Sequence, residues 1–169
     1  MLDDPIKYGL LGALAIALLI AAFTDLKSRR IANWLNLAIA LGAPLYWFAS
    51  GMSIWPDMAI QLGLGVAAFL GFSALFAMKW MGGGDVKLLT ALALWMTPAV
   101  YLKLLIMMAL LGGVLTLIFG AWNVMSRRNA KSSEKNPLTI PYGVAIALAG
   151  LWSIGSFYIP ASAIAGVTG

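Results

Sequence analysis

The 169-residue sequence contains no cysteine and no histidine. The absence of cysteine excludes disulfide bonds, thiolate nucleophiles and cysteine-ligated zinc within this chain. The absence of histidine excludes Ser-His triads, histidine-bound metals and imidazole acid–base chemistry. Any reaction carried by this chain therefore uses carboxylates, lysines, tyrosines or hydroxyl groups.

Acidic residues are also scarce, and two of the six lie at the ends of long apolar runs, Asp25 and Asp85. A carboxylate close to hydrocarbon is costly, so it is a candidate functional group by default. Asp85 ends a Gly-Gly-Gly-Asp sequence, which suggests open backbone beside a reactive carboxyl group. Together the two acids form a candidate aspartyl dyad.

The composition predicts a membrane protein, since 62% of the residues are hydrophobic, 10% are charged and the mean hydropathy is +0.93. We predict an all-α fold with six transmembrane helices in one bundle, forming a single domain over residues 1–169. A break is expected at Thr97–Pro98, because one helix over residues 86–125 would be about 60 Å long, twice the hydrocarbon thickness. The predicted spans are residues 6–23, 31–49, 58–78, 86–96, 100–125 and 140–159.

The basic residues predict the orientation in the membrane. Nine of the 11 lysines and arginines follow the first, third and fifth spans, which places these segments in the cytoplasm and both termini outside the inner membrane. Two complete spans separate Asp25 from Asp85, so both acids should emerge at the same face. The basic clusters lie between apolar segments, as expected for lipid headgroup contact, and nucleic acid is not expected as a partner.

Each acid also has a structural interpretation when taken alone. Asp85 precedes an apolar helix and could cap its free N–H groups. Asp25 could form an interfacial salt bridge with Lys27, Arg29 or Arg30. Asp57, on the predicted outer side, is interpreted as a helix cap.

Small residues and tryptophans predict packing and anchoring. Small residues spaced by four predict close helix approach, and tryptophans near the ends of spans predict anchors at the membrane interface. The small residues are Gly63, Ala67, Gly71, Gly112, Thr116 and Gly120, and the tryptophans are Trp34, Trp47, Trp55, Trp80 and Trp95.

Four short motifs together resemble the prepilin peptidase family over nearly the whole chain. They are residues 23–25 (Phe-Thr-Asp), 30–33 (Arg-Ile-Ala-Asn), 82–88 (Gly-Gly-Gly-Asp-Val-Lys-Leu) and 140–143 (Ile-Pro-Tyr-Gly). The sequence is most similar to the short members associated with tight-adherence (Tad/Flp-type) pili, which belong to the GxGD class of membrane aspartyl proteases. The family often has proline where this chain has Ala32, so a looser start of the second span is expected.

The resemblance implies that Asp25 and Asp85 are catalytic aspartates that remove the short basic leader of a prepilin at the cytoplasmic membrane face. The implied partners are a prepilin and membrane lipid, while the oligomeric state is left open. One ionised carboxyl would activate water and one protonated carboxyl would donate a proton. Because Asp85 opens a helix and Asp25 closes one, helix dipoles predict Asp85 as the base and Asp25 as the acid.

The remaining site candidates each have two interpretations. Gly82 and Gly84 leave backbone bare for an extended substrate or only allow a turn. Lys87 orients the dyad or, as the residues alone favour, contacts a phosphate headgroup. Three residues before the last span either border the substrate channel or only shape the start of that helix: Pro141, Tyr142 and Gly143.

Two other classes of function use the same residues. In a small transporter or channel component, Asp25 and Asp85 would relay protons or bind a cation near the inner face. In an assembly subunit of a pilus or secretion machine, the small-residue stripes would hold partners together without catalysis.

We predict that the purified protein does not transfer methyl groups from S-adenosylmethionine to a pilin N-terminus and needs no metal or other cofactor. Longer prepilin peptidases carry a cytoplasmic insert with metal-binding cysteines and methylate the new N-terminus, whereas the matching loop here is only about residues 26–30. Incubation with labelled S-adenosylmethionine and a cleaved pilin measures this. Label transferred to the pilin would contradict the prediction.

Overall fold

The computed structural model describes residues 5–129 and 142–158, and within these ranges the chain forms six α-helices and no strand. The predictions that fall on residues 1–4, 130–141 and 159–169, Pro141 among them, lie outside the described residues. The prediction of an all-helical fold is confirmed. The helices are α1 (Pro5–Ser28), α2 (Asn33–Ala49), α3 (Ala59–Ala77), α4 (Gly83–Ala93), α5 (Pro98–Asn129) and α6 (Tyr142–Phe157).

Helix length divides the six into two groups. Three segments are long and apolar enough to cross a membrane: α1, the stretch Ile54–Ala77 that ends with α3, and α5 as far as Trp122. The other helices are shorter, with 17 residues in α2, 11 in α4 and 16 in α6. The crossing of the membrane by all six helices, and the side on which the termini lie, therefore stay predictions.

The break predicted between the fourth and fifth apolar segments is present, because α4 ends at Ala93 and α5 begins at Pro98. Proline is favoured in the first turn of a helix, where its missing N–H removes no helical hydrogen bond. One carbonyl group directly after α4 has a side-chain partner: the Trp47 Nε1–H group donates a hydrogen bond to the Leu94 carbonyl oxygen at 2.7 Å.

The helix α4 lies at the centre of the bundle and packs against α2, α3, α5 and α6. At 1.5 Å per residue it is about 16 Å long, roughly half the thickness of the hydrocarbon layer. Its apolar residues face protein instead of lipid. The buried ones are Val86, Leu88, Leu89, Ala91, Leu92 and Ala93.

Two tryptophans predicted as interfacial anchors are instead part of the core. Trp47 and Trp95 are 5% and 3% exposed, and the indole N–H of Trp95 donates to the carbonyl oxygen of Ile39 at 2.8 Å. Buried indole groups need such partners because an unpaired N–H is costly away from water. The anchor prediction is therefore wrong for these two, whereas Trp34, Trp55 and Trp80 are exposed.

Among the described residues, one of the four predicted glycines, Gly112, lies against another helix, with the position of an added Cβ atom 3.4 Å from the Tyr142 ring. The tightest contacts occur at glycines outside the predicted stripes. A Cβ atom added at Gly63, Gly71 or Gly120 would meet nothing within 4 Å. A Cβ atom at Gly65 would instead lie 2.6 Å from the side chain of Leu94, and the same atom at Gly150 would lie 2.8 Å from Leu18. The spacing of small residues thus predicted close packing but not the helix faces that meet.

Asp57 is not itself the capping residue, but it holds the residue in that position. Its Oδ2 accepts hydrogen bonds from the backbone N–H of Ser53 at 3.0 Å and from the Ser53 hydroxyl at 2.9 Å. Ser53 precedes the short helical turn Ile54–Met58, so the acid stabilises the start of that turn.

We predict that Leu92→Ala destabilises the folded protein far more than Leu110→Ala. Leu92 is fully buried in α4, whereas Leu110 on α5 is 62% exposed. Removal of a buried leucine side chain leaves a cavity and lowers the free energy of unfolding by about 2–5 kcal/mol. Unfolding of the detergent-solubilised protein by denaturant measures the difference. Equal stability of the two variants would contradict a central position for α4.

Candidate active site

The end of α1 is longer than the sequence predicted. Residues 26–28, predicted as loop, are helical, and the connection to α2 consists of residues 29–32 only. Arg29 has a φ of 53°, in the left-handed region that ends helices, and its N–H donates to the carbonyl oxygen of Asp25 at 2.8 Å. Asp25 therefore lies in the last full turn of α1.

The structure brings Asp25 and Asp85 to one cleft of about 480 Å³. The cleft lies between the end of α1, the connection to α2 and the N-terminus of α4. Besides the two acids, the lining residues are Arg29, Arg30, Ile31, Ala32, Asn33, Gly82, Gly83 and Gly84.

Asp25 is buried, with 6% of its surface exposed, and faces the first turn of α6. A Cβ atom at Gly143 would lie 2.7 Å from Asp25 Oδ2, so only glycine leaves room for the carboxyl group. The backbone N–H groups of Gly143 and Val144 lie beside this carboxyl. Its Oδ2 atom is nevertheless buried without a hydrogen-bond partner among the described residues, which a structural salt bridge does not explain.

Asp85 lies in the first turn of α4, three residues after the capping residue Gly82. Its carboxyl folds back toward Gly82, whose added Cβ atom would lie 3.0 Å from Oδ2. Asp85 thus acts in part as the predicted helix cap, because its carboxyl group accepts a hydrogen bond from the Gly82 N–H. Burial, followed by the negative charge of Asp25, raises the pKa of Asp85, and the Gly82 N–H opposes this shift. Asp85 therefore keeps its proton to a higher pH than an ordinary aspartate.

The surroundings of Asp25 weaken the argument that helix dipoles make Asp85 the base and Asp25 the acid. Asp25 closes α1, where the dipole disfavours negative charge, but its carboxyl also meets the N-terminus of α6, where the dipole favours it. Asp85 lies at the N-terminus of α4. Since both acids face a helix N-terminus, the dipoles do not separate them as the sequence predicted.

Two more predicted site residues lie at the start of α4. The Lys87 ammonium donates a hydrogen bond to Asn33 Oδ1 at 2.8 Å, so it joins α4 to α2. Gly84 lies against Ile31, with the position of an added Cβ atom 3.5 Å from the Ile31 Cβ. These contacts indicate that Lys87 and Gly84 shape the site. For Lys87, they favour this role over the predicted contact with a lipid headgroup.

Tyr142 and Gly143, two of the three site candidates at the start of the last span, have different surroundings in the structure. Gly143 lies against Asp25, as described above. Tyr142 instead packs on α5, where its ring lies 3.4 Å from the position of a Cβ atom at Gly112. It is not among the residues that line the cleft.

Sequence reasoning missed Asn36 and gave Asn33 no role in the site beyond its place in the Arg-Ile-Ala-Asn motif. Asn33 lines the cleft, and the buried Asn36 donates from Nδ2 to the carbonyl oxygen of Gly84 at 3.5 Å. The available signal was a polar amide inside an otherwise apolar predicted span, which marks a functional position in a membrane helix. Arg29 and Arg30 were predicted as orientation signals and salt-bridge partners, and Arg30 as part of a family motif, but neither was predicted to line the cleft, as both do.

Residues 12–121 match the type IV leader peptidase family. The match covers more than half of the chain and includes both Asp25 and Asp85, so the chain belongs to this family. No curated protein and no solved structure gave a significant match. The resemblance to prepilin peptidases is thereby confirmed, and the chain is a peptidase of the leader peptidase type. Its apolar helices and its family indicate a membrane protein.

We predict that Gly143→Ala abolishes most of the peptidase activity while Gly155→Ala retains it. The added methyl group at position 143 would collide with the Asp25 carboxyl, whereas a Cβ atom at Gly155 in the same helix meets nothing within 4 Å. Cleavage rate and the yield of folded, detergent-extracted protein are measured for both variants. Normal activity of Gly143→Ala would show that α6 does not confine Asp25.

Proposed function

We propose that this protein is a membrane-embedded aspartyl endopeptidase that removes the leader peptide from type IV pilin-like, Flp/Tad-type prepilins at the cytoplasmic membrane face. The observation that carries the proposal is the position of Asp25 and Asp85 on one cleft in a chain of the leader peptidase family. Cysteine and histidine are absent, so these carboxyl groups are the natural choice for hydrolysis.

In the proposed reaction one water molecule lies between the two carboxyl groups. The ionised carboxylate removes a proton from the water as its oxygen attacks the scissile carbonyl carbon, and the protonated carboxyl donates to the carbonyl oxygen. Breakdown of the tetrahedral intermediate then transfers a proton to the leaving amine and releases the leader. The pair returns to its starting state with one shared proton.

The surroundings of the acids support Asp25 as the base and Asp85 as the acid at rest, the reverse of the assignment from helix dipoles. Burial raises the pKa of Asp85, which favours its protonated form. Asp25 is buried too, which disfavours its charged form, but the N–H groups of Gly143 and Val144 and the positive charge of Arg29 oppose this effect. Its Oδ2, which has no hydrogen-bond partner among the described residues, can accept a proton from water. The two carboxyl groups titrate as a coupled pair, so the roles of acid and base exchange during the catalytic cycle.

The charges around the cleft support the cytoplasmic side. Lys27, Arg29 and Arg30 lie at the end of α1, and Lys79 lies between α3 and α4, at the same side of the bundle as the cleft. Basic residues next to membrane spans are enriched on the cytoplasmic side. An extended substrate segment would pass the bare backbone of Gly82 and Gly84, both of which line the cleft.

We predict that Asp25→Asn and Asp85→Asn each lower the cleavage of a co-expressed Flp-type prepilin by about 100-fold or more. An asparagine amide neither takes a proton from water nor donates one to the scissile carbonyl oxygen, so each variant removes one of the two proton transfers. Asp57→Asn is the matched control, because within the described part of the chain this exposed acid bonds with Ser53 alone and does not line the cleft. Immunoblots of membranes from the expressing cells separate the precursor from the shorter product.

Insertion into the membrane is measured for all three variants, so a loss of cleavage is not confused with a loss of protein. Wild-type cleavage by either cleft variant would reject the dyad. Ion-gradient-dependent transport that needs both acids, without proteolysis, would support the transporter alternative.

A further inference from the structure

The first turn of α2 is linked to the segments that carry the two acids of the cleft. On one side, residues 29–32 connect it directly to the turn of α1 that carries Asp25. On the other side, it contacts the N-terminal turn of α4, which carries Asp85. It is therefore placed to set the separation of the two carboxyl groups.

The first contact comes from Asn36, which is only 4% exposed. Its Nδ2 donates to the carbonyl oxygen of Gly84 at 3.5 Å, and Gly84 immediately precedes Asp85. A carbonyl oxygen only accepts, so the nitrogen end of the amide must face it. The Asn36 Oδ1 atom is buried without a partner among the described residues, which is costly for a side chain that serves packing alone.

The second contact comes from Asn33, whose Oδ1 accepts from the Lys87 ammonium at 2.8 Å. Lys87 follows Asp85 by two residues. The side chain of Ile31 adds apolar contact at Gly84. Contacts from α2 thus lie on both sides of Asp85 in the sequence of α4, and they restrict its rotation and its displacement along the helix axis.

We propose that Asn36 is a positioning residue which, together with the bond between Asn33 and Lys87, holds the Gly84 backbone and sets Asp85 at its working distance from Asp25. This proposal rests on the proposed function, since the working distance has meaning only for a carboxyl pair that shares a water. A displacement of about 1 Å in such a pair costs about 100-fold in rate.

The test replaces Asn36 in two ways. Asn36→Leu keeps the volume and removes the donor, while Asn36→Ala removes the donor together with most of the side chain. Both should lower kcat for prepilin cleavage by about tenfold to 100-fold with KM nearly unchanged, because the substrate contacts stay in place. Gln61→Met is the matched control, since Gln61 is also a buried amide, 3% exposed, and its Oε1 has no partner in the described ranges. Gln61 lies in α3 and does not line the cleft.

A distance measurement gives a second readout that does not depend on activity. Because the chain contains no cysteine, spin labels can be attached at Lys27→Cys and Trp80→Cys, two exposed positions beside the ends of α1 and α4. Asn36→Leu should broaden or shift the distance distribution between them, and Gln61→Met should not. Lys87→Met tests the second contact at an exposed position, where folding is not threatened, and should broaden the same distribution.

The outcomes separate this inference from the proposed function. Loss of cleavage in the two aspartate variants, with full activity and an unchanged distance distribution in the Asn36 and Lys87 variants, overturns the positioning role alone. Full activity of the aspartate variants overturns the proposed function itself. A rise in KM without a fall in kcat would make Asn36 a substrate contact and would also overturn the positioning role.

Discussion

The site depends on the burial of the 11-residue helix α4 inside the bundle. Because α4 is enclosed by α2, α3, α5 and α6, the polar groups at its N-terminus need partners from the protein. The Asp85 carboxyl beside the Gly82 N–H and the Asn36 amide on the Gly84 carbonyl provide such partners. The same enclosure raises the pKa of Asp85 and suits it to hold a proton.

Asp25 meets a different environment at the other wall of the cleft. Gly143 brings the first turn of α6 against its carboxyl, and one carboxyl oxygen has no hydrogen-bond partner in the part of the chain that the structure describes. A buried unpaired oxygen lowers stability, so it is expected where it serves a reaction more than a fold. Two acids with contrasting surroundings are what general acid and general base catalysis by one pair requires.

The sequence predicted the features that depend on composition and order along the chain. The apolar runs predicted six helices, and Thr97–Pro98 predicted the break between α4 and α5. The two spans between Asp25 and Asp85 predicted that the acids emerge together, and both line the same cleft. These inferences need only the length of each run and the cost of a carboxylate near hydrocarbon.

The features that depend on which helix faces meet were not predictable. The spacing of small residues identified stripes on α3 and α5, but the tight contacts occur at Gly65, Gly143 and Gly150. The dipole argument failed for Asp25 because nothing in the order of the residues showed that α6 begins beside it. The amide of Asn36 in an apolar span was a visible signal, but its contact with Gly84, 48 residues away in the sequence, was not predictable for the same reason.

The central claim, that the two acids work as one pair, is tested most directly by cross-linking in native membranes. In this naturally cysteine-free chain, Asp25→Cys and Asp85→Cys can be combined and treated with a short bifunctional thiol reagent. The account predicts an intramolecular cross-link that a bound prepilin blocks. Two thiols that react singly with a monofunctional reagent but never cross-link would contradict it.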